Sequence, residues 1–365
     1  GGGLRVSVAP DSSNTRQRAS SQALEWKRVV NATVSVYGGH TVPHHPSAPG
    51  ADWEEGEGGD LAGFPDSWME QPGDHPFMVS YDSVDLTGNR VSLCVGDQAW
   101  SEPFSLESMG TTGVLQARGP PSDDPSLKRA RPLYELGLSF QLGVGVYSRS
   151  KVATIVPRYT VLNRTGRTIQ VCQAELQGVP GAQMELADGE LHAFHWLDEG
   201  KGRQLVARVV PRIGTKDRFT TGWGGPVKPE QVGTFALLLP ADKESPSSSA
   251  LHVSVEVRLR KAASFLIFRL QGADTSMYRI RNESSKPVFV VQEGSPPLQK
   301  GVFVRPGAQV PYSWDRPNDR RELRVGADER GRDAQLVKMD KFGRFKLKGC
   351  DAEVRAEGGT RALVV

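Results

Sequence analysis

The chain has 365 residues, of which 38% are hydrophobic and 24% charged, a composition typical of a globular protein. Its 45 basic and 42 acidic residues give a formal charge of +3, so no general attraction to nucleic acid is expected. The longest uncharged stretch of note, 136–148, is shorter than the about 20 apolar residues of a membrane-spanning helix, so no membrane span is expected.

The N-terminal third is predicted to be a β module, 1–118, with an acidic insertion at about 46–74. No Lys or Arg occurs between Arg28 and Arg90, while Asp and Glu recur among Gly and Pro. Such a stretch buries too little apolar surface to offset its ordering entropy, so we interpret it as a solvated insertion. Two runs of turn residues, 119–126 and 241–249, follow and are interpreted as breaks. They would separate a second module, 127–240, from a third, 250–365.

Between these breaks the hydrophobic pattern repeats every two residues. In His252–Leu259, the apolar residues Val253, Val255, Val257 and Leu259 alternate with polar ones, as a half-buried strand requires. No window of helical length has a convincing 3.6-residue period. The sequence therefore predicts an all-β fold of short strands and many turns. Further predicted strands lie within Val152–Leu162, Thr168–Gln173, Phe265–Leu270 and Pro287–Gln292.

A basic run near the end of the chain has two interpretations. In a strand, Arg344, Lys346 and Lys348 share one face, opposite Phe345 and Leu347. That face suits an anionic membrane surface or an acidic partner. Alternatively, the lysines protect an exposed sheet edge from unwanted pairing.

Internal similarity indicates three tandem modules. Residues 159–173 recur as 278–292, which aligns Tyr159 with Tyr278 and Asn163 with Asn282. Residues 189–196 recur as 307–314. Residues 227–233 recur as 337–343, but the second copy has no counterpart of Trp223, which precedes the first. The first module is marked less clearly, by Asn31 and by a Trp100 segment similar to that of Trp223.

The repeated asparagines have a structural interpretation that stays open beside a functional one. An Asn before a strand tolerates the left-handed conformation, and its amide can bond the backbone two residues on, which fixes the turn. Asn31, Asn163 and Asn282 each begin an Asn-x-Ser/Thr triplet, which is the acceptor for N-linked glycosylation, but the hydroxyl can equally cap the same turn. The repeated tryptophans are interpreted as core or corner aromatics.

Enzyme chemistry is not indicated. No nucleophile elbow, phosphate-binding loop or zinc motif is found, so we expect no catalytic residue, no cofactor and no metal. The widely spaced Cys94, Cys172 and Cys350 favour a reducing compartment. Because the sequence starts with Gly1 rather than Met, we expect a longer parent protein.

Four stretches carry a family resemblance. Residues 99–113, 134–173, 310–325 and 352–365 resemble the adaptor-binding domain, also called the SHORT-ROOT-binding domain, of the vacuolar protein sorting-associated protein thirteen family. The most specific features are Pro157-Arg158-Tyr159 with Asn163, followed by Tyr312-Ser313-Trp314-Asp315. Family domains have six β units, so three units imply part of a domain, its later half. The acidic insertion and the missing Trp of the third unit depart from the family pattern.

The resemblance implies a fold of tandem β-sandwich-like modules and a function in protein targeting. It implies a cytoplasmic module, peripheral at organelle membranes and membrane contact sites, in a bridge-like lipid transfer protein whose remaining domains lie elsewhere. Each unit carries a signature Asn, a role that passes to Asn163, Asn282 and, less securely, Asn31. The implied partners are adaptor proteins with Pro-x-Pro peptides, and the hypothesis places the peptide at Asn282, Tyr278, Phe289 and Trp314. The alternatives are a purely structural spacer and a module that binds an anionic membrane surface.

Overall fold

In the computed structural model the regular secondary structure of the described residues is almost entirely β-strand, which confirms the all-β prediction. Its only helices in the described ranges are two short 3₁₀ helices, Pro125–Leu127 and Ala174–Leu176. The acidic insertion at about 46–74 lies outside the described residues. The structure describes residues 4–9, 32–36, 77–79, 90–95, 99–104, 112–123, 125–127, 130–142, 151–212, 214, 218–245, 247–272, 274–295, 301–327, 333–348 and 350–365.

The strands are short, as the frequent turn residues lead one to expect. They are numbered in chain order as β1 Leu4–Ala9, β2 Ala32–Val36, β3 Phe77–Val79, β4 Arg90–Val95, β5 Ala99–Ser101, β6 Thr112–Arg118, β7 Leu133–Leu142, β8 Lys151–Pro157, β9 Tyr159–Arg164, β10 Ile169–Gln173, β11 Met184–Leu186, β12 Leu191–Phe194, β13 Leu205–Val209, β14 Gly224–Val227, β15 Gly233–Leu239, β16 Leu251–Arg260, β17 Ala263–Leu270, β18 Tyr278–Arg281, β19 Val288–Gln292, β20 Val302–Val304, β21 Gln309–Tyr312, β22 Glu322–Gly326, β23 Gln335–Lys338, β24 Gly343–Leu347, β25 Cys350–Glu357 and β26 Thr360–Val364.

The same strand order recurs along the chain. Five-stranded sheets have the orders β12-β9-β17-β16-β15 and β21-β18-β26-β25-β24, and the run β3-β2-β8-β7-β6 repeats that order within an eight-stranded sheet, β1-β4-β5-β6-β7-β8-β2-β3. Four-stranded sheets have the orders β11-β10-β13-β14 and β20-β19-β22-β23. Corresponding strand pairs also share their direction, since β2–β8 and β18–β26 are both parallel. The architecture is therefore a set of β modules that repeat one topology.

Sheet pairing shows that the two predicted breaks are loops between neighbouring strands of one sheet. Residues 119–126 connect β6 to β7, and residues 241–249 connect β15 to β16, and both pairs of strands are antiparallel neighbours. The turn residues mark true loops, but each loop closes a hairpin within one sheet. From sheet membership we propose module limits near Pro157 and Leu270, beside the predicted limits near 118–127 and 240–250.

The period of two predicts most strands well and fails at two positions. In β16, Val253, Val255 and Val257 are buried as predicted, whereas Leu259 is exposed. The predicted strand Val152–Leu162 is two strands, β8 and β9, with Arg158 between them.

The chain divides into two compact units. The first contains Gly1–Thr160, Leu191–Gly200 and Leu259–Ser264, and the second contains the rest. In the second unit, inward residues of β18, β19, β22 and β25 form one apolar core with Trp314. Alternation explains this core, because Val288, Val290 and Gln292 point inward from β19 while Phe289 and Val291 point outward.

A close backbone approach in the first unit requires a glycine. A Cβ at Gly137 on β7 would overlap the Ala262 carbonyl and lie 2.8 Å from the Ala262 Cβ. Neither neighbour is a flexible side-chain end, so the β16–β17 hairpin would have to move.

We therefore expect Gly137→Ala to lower the free energy of unfolding by about 2–4 kcal/mol. Gly178→Ala is the matched control, since nothing lies within 4 Å of its added Cβ. Urea unfolding of both variants tests this, and equal midpoints would contradict it.

Candidate functional site

The third module contains a fully buried asparagine at the end of β18. The Asn282 side chain is 0% exposed. Its Nδ2 donates to the carbonyl oxygens of Lys286 (2.8 Å) and Val304 (2.9 Å). Its Oδ1 accepts from the Ser284 backbone N (3.0 Å) and the Ser284 hydroxyl (2.6 Å). The amide has used both donors, so this buried polar group is satisfied.

The second module repeats this arrangement bond for bond. Asn163 is also 0% exposed, and its Nδ2 donates to the carbonyls of Arg167 (2.7 Å) and Leu186 (3.0 Å). Its Oδ1 accepts from the backbone N (3.0 Å) and hydroxyl (2.8 Å) of Thr165. The repeated Asn-x-Ser/Thr triplet therefore has a structural use, because the hydroxyl caps the turn. Asn31 lies outside the described residues, directly before β2, so its part in a turn stays a prediction.

Each asparagine connects its turn to the last residue of an edge strand. Val304 ends β20 and Leu186 ends β11, and both strands lie at the edge of a four-stranded sheet. The Asn282 backbone also bonds the returning chain, through Asn282 N to Ala308 O (3.0 Å) and Gly307 N to Asn282 O (2.8 Å). Asn282 therefore acts as a positioning residue that holds the end of β20 relative to β19.

The tryptophan next to each turn belongs to the core. Trp314 is buried and meets the rings of Tyr278 and Tyr312 edge to face, with centroids 5.3 and 5.2 Å away. Trp196 has the same geometry with Tyr159 (5.4 Å) and Phe194 (5.2 Å). Tyr278 and Trp314 thus lie inside the third module, and a peptide on the surface would not touch them.

Phe289 has a different environment from these buried rings. It lies on the outer face of the four-stranded sheet, opposite Phe303 of edge strand β20 and opposite Gly326 of β22. Phe303 is 51% exposed, and the Phe289 ring lies over Gly301, where a Cβ would be 2.7 Å from Phe289 Cε2. The result is an aromatic pair, half-buried Phe289 and exposed Phe303, at a strand that ends its sheet within the described residues.

The second module provides a comparison for that pair. The positions of Phe289, Phe303 and Gly326 are occupied there by Gln170, Glu185 and Arg208. Gln170 donates to Glu185 (3.3 Å) and accepts from Arg208 (3.0 Å). The second module thus has a row of polar side chains that bond one another, where the third module has a partly exposed apolar row. Sequence reasoning missed Phe303 and Gly326, although extending the repeat alignment to β11 and β13 would have found them.

The decisive comparison is with a protein-family model. The model of the vacuolar-sorting associated protein 13 adaptor binding domain matches residues 59–321. The chain belongs to the VPS13 adaptor-binding domain family. The match includes both asparagine turns, Trp314 and the Phe289–Phe303 pair, and it stops before β24.

Curated relatives agree with this assignment. The chain is 24% identical over 312 residues to the intermembrane lipid transfer protein VPS13 of Chaetomium thermophilum, which covers 80% of the chain and 9% of that protein. It is 22% identical over 294 residues to vps13E of Dictyostelium discoideum, covering 77% and 7%. It is 24% identical over 232 residues to human VPS13D, covering 61% and 5%. The chain spans less than a tenth of each relative. No helix within the described ranges is long and apolar enough to cross a bilayer.

Two of the predicted anionic-surface residues, Arg344 and Lys346, lie on β24, an edge strand of the last five-stranded sheet, and Lys348 directly follows that strand. Arg344, Lys346 and Lys348 are all exposed, and Arg344 has an 84% exposed side chain 3.7 Å from Glu353. Asp351 lies opposite Lys346 on the neighbouring strand. For metal, the described residues contain no group of three or more His, Cys, Asp or Glu that could hold an ion.

One histidine of this VPS13 domain is expected to make its stability depend on pH. The Nδ1 of His195 is buried and has no hydrogen-bond partner within the described structure, and the Tyr134 ring lies 4.8 Å away. Burial lowers the pKa of His195 to about 4. Because the unfolded chain then binds a proton more readily, stability should fall as the pH drops from about 6.5 to about 4.

We expect His195 to contribute at most about 3 kcal/mol to this loss, and His195→Asn to flatten the profile. The free energy of unfolding in urea, measured at intervals of pH for both proteins, checks this. Parallel profiles would contradict it.

Proposed function

We propose that this VPS13 adaptor-binding segment is a non-catalytic module that captures Pro-x-Pro peptides of organelle adaptors at edge strand β20 of the third module. A Pro-x-Pro peptide is already extended, so it loses little entropy when it adds beside a strand. Main-chain hydrogen bonds to the edge would give affinity, and alternate side chains would contact the sheet face.

The observation that carries the proposal is the Phe289–Phe303 pair at that edge, in which Phe289 is half-buried and Phe303 is exposed. Proline rings pack well on aromatic surfaces, and aromatic residues are enriched at binding hot spots. On the second module the equivalent positions hold the polar row of Gln170, Glu185 and Arg208, and the Arg208 guanidinium lies over the half-buried Trp223 ring, 4.6 Å from its centroid. Phe289 therefore keeps its predicted place in the peptide site, and Phe303 joins it.

Asn282, Tyr278 and Trp314 have an indirect role in this proposal. Asn282 holds the Val304 end of β20 through its amide, and the two rings fill the core behind the sheet. They would set the position of the docking edge without touching the peptide. The third module would thus direct the longer lipid transfer protein to an adaptor at an organelle membrane or a contact site, from the cytoplasmic side.

Titration of a labelled Pro-x-Pro peptide by fluorescence anisotropy tests the proposal. We expect saturable binding that is lost when both prolines become Ala, and that weakens at least about tenfold in Phe303→Glu, which introduces the residue of the second module. Val232→Glu is the matched control, since Val232 is an exposed apolar residue on another turn. Equal binding by all three proteins, or none by the unaltered chain, would contradict the proposal and favour a structural spacer.

A further inference from the structure

The edge formed by β24 has a counterpart within the same chain. Gly343 begins β24 and Gly233 begins β15, and both have φ +143°. The preceding turns share a bond of 3.3 Å, Lys341 N to Lys338 O and Gln231 N to Lys228 O. An apolar residue is exposed at the same position of each turn, Phe342 at 59% and Val232 at 60%. The two edges therefore occupy equivalent positions in their modules.

In the second module that edge is covered by the next part of the chain. The Leu238 N donates to Trp314 O (3.0 Å), and the Trp314 N donates to Ala236 O (3.1 Å). The Asn318 side chain accepts from the Lys228 N (2.8 Å) and donates to Gln231 (2.9 Å). In the third module β24 ends its sheet, and no segment within the described ranges lies on its outer side.

Along the two equivalent edges, several residues are neutral in the second module and cationic in the third. Four positions differ in this way, namely Gln231, Thr234, Ala236 and Leu238, which become Lys341, Arg344, Lys346 and Lys348. Lys346 and Lys348 form no ion pair with any described residue, while Asp351 and Glu353 on β25 offset part of the charge. The ring of Phe342 stands among these cations, with the Arg361 guanidinium 4.6 Å from its centroid.

We propose that the β24 edge and Phe342 form a docking surface for an anionic phospholipid bilayer. A negatively charged bilayer surface attracts a row of cations, and an exposed aromatic ring at a turn can insert into the interface. A strand edge lined by lysines does not favour a second protein strand, because lysine discourages edge pairing. The surface lies outside the residues matched by the family model, so it adds to the peptide capture proposed above. Each lysine near an anionic surface contributes roughly fivefold to binding.

Sedimentation with vesicles tests this inference. The full chain should bind vesicles of phosphatidylcholine with about 30% phosphatidylserine, should bind pure phosphatidylcholine far less, and should release at about 0.5 M salt. The variant Lys346→Ala with Lys348→Leu, which restores the residues of the second module, should bind about tenfold to thirtyfold more weakly. Phe342→Ser should weaken binding without changing its salt dependence.

The matched control is Lys201→Ala with Lys243→Ala, which removes the same charge from two other exposed sites of the same unit. Its vesicle binding should stay within about twofold of the unaltered chain, and retained binding of the Pro-x-Pro peptide would show that both double variants fold. Equal loss in both double variants would overturn the inference, since charge alone would then explain binding. The inference would also be overturned if the chain bound an acidic peptide but not the vesicles. It would likewise be overturned if the Lys346→Ala, Lys348→Leu variant formed dimers while its vesicle binding stayed intact.

Discussion

Asn282→Ala is expected to lower the free energy of unfolding of the third module by about 3 kcal/mol and to abolish measurable Pro-x-Pro binding. The substitution removes the buried bond from Asn282 to the Val304 carbonyl, whereas the Ser284 backbone N keeps a bond to the Val365 carbonyl (3.1 Å). Each unsatisfied buried group costs about 1–3 kcal/mol. The Lys286 carbonyl keeps the Ser284 hydroxyl (2.9 Å), which limits the loss.

Urea unfolding followed by tryptophan fluorescence measures the first effect, and the peptide titration measures the second. Ser284→Ala is the graded control, because it removes the hydroxyl cap and keeps the amide bonds, so we expect a loss of only about 1 kcal/mol. Asn163→Ala should destabilise the chain to a similar degree while leaving peptide affinity unchanged. Loss of peptide binding in Asn163→Ala, or a smaller effect of Asn282→Ala than of Ser284→Ala, would contradict the account.

Trp314→Ala is expected to cost about 3–5 kcal/mol, since it opens a large cavity between Tyr278 and Tyr312. The conservative change to Phe separates volume from hydrogen bonding. The Trp314 Nε1 has no partner within the described structure, whereas the Trp196 Nε1 donates to Glu135 (3.0 Å) in a buried site. Trp196→Phe should therefore destabilise the chain by about 1–2 kcal/mol more than Trp314→Phe.

Urea midpoints of the two Phe variants check this difference. The carboxylate of Glu135 keeps its bond from Gln116 Nε2 (2.9 Å) in Trp196→Phe, so the expected difference stays modest. Equal midpoints for the two variants, or a lower one for Trp314→Phe, would contradict the assignment.

Local pattern was enough to predict most strands near the asparagine turns. Strands β10 and β19 begin one residue after the predicted starts and end where predicted, because alternation and β-branched residues are local properties. The break at Arg158 and the exposure of Leu259 could not be predicted, since they depend on which strands become neighbours. For the same reason, the turn-rich stretches 119–126 and 241–249 look like module limits in sequence and are hairpin connections in the fold.

The candidate site was predictable in part. The repeated Asn-x-Ser/Thr triplets pointed to Asn163 and Asn282, and their bonding follows from the reach of an amide side chain. A list of aromatic residues could not separate Phe289 from Tyr278 and Trp314, because only the faces of β18 and β19 decide which ring meets solvent. Phe303 lies in a strand of three residues, too short for any periodic signal, and becomes visible only through its pairing with Phe289.

Amide hydrogen exchange with saturating Pro-x-Pro peptide tests peptide capture most directly. If the peptide adds beside β20, the backbone amides of 302–304 should exchange more slowly, whereas those of 184–186 in the equivalent β11 should not change. Protection of 302–304 alone is the result we predict. Unchanged exchange at 302–304, or equal protection of both strands, would contradict the proposed capture at the third module.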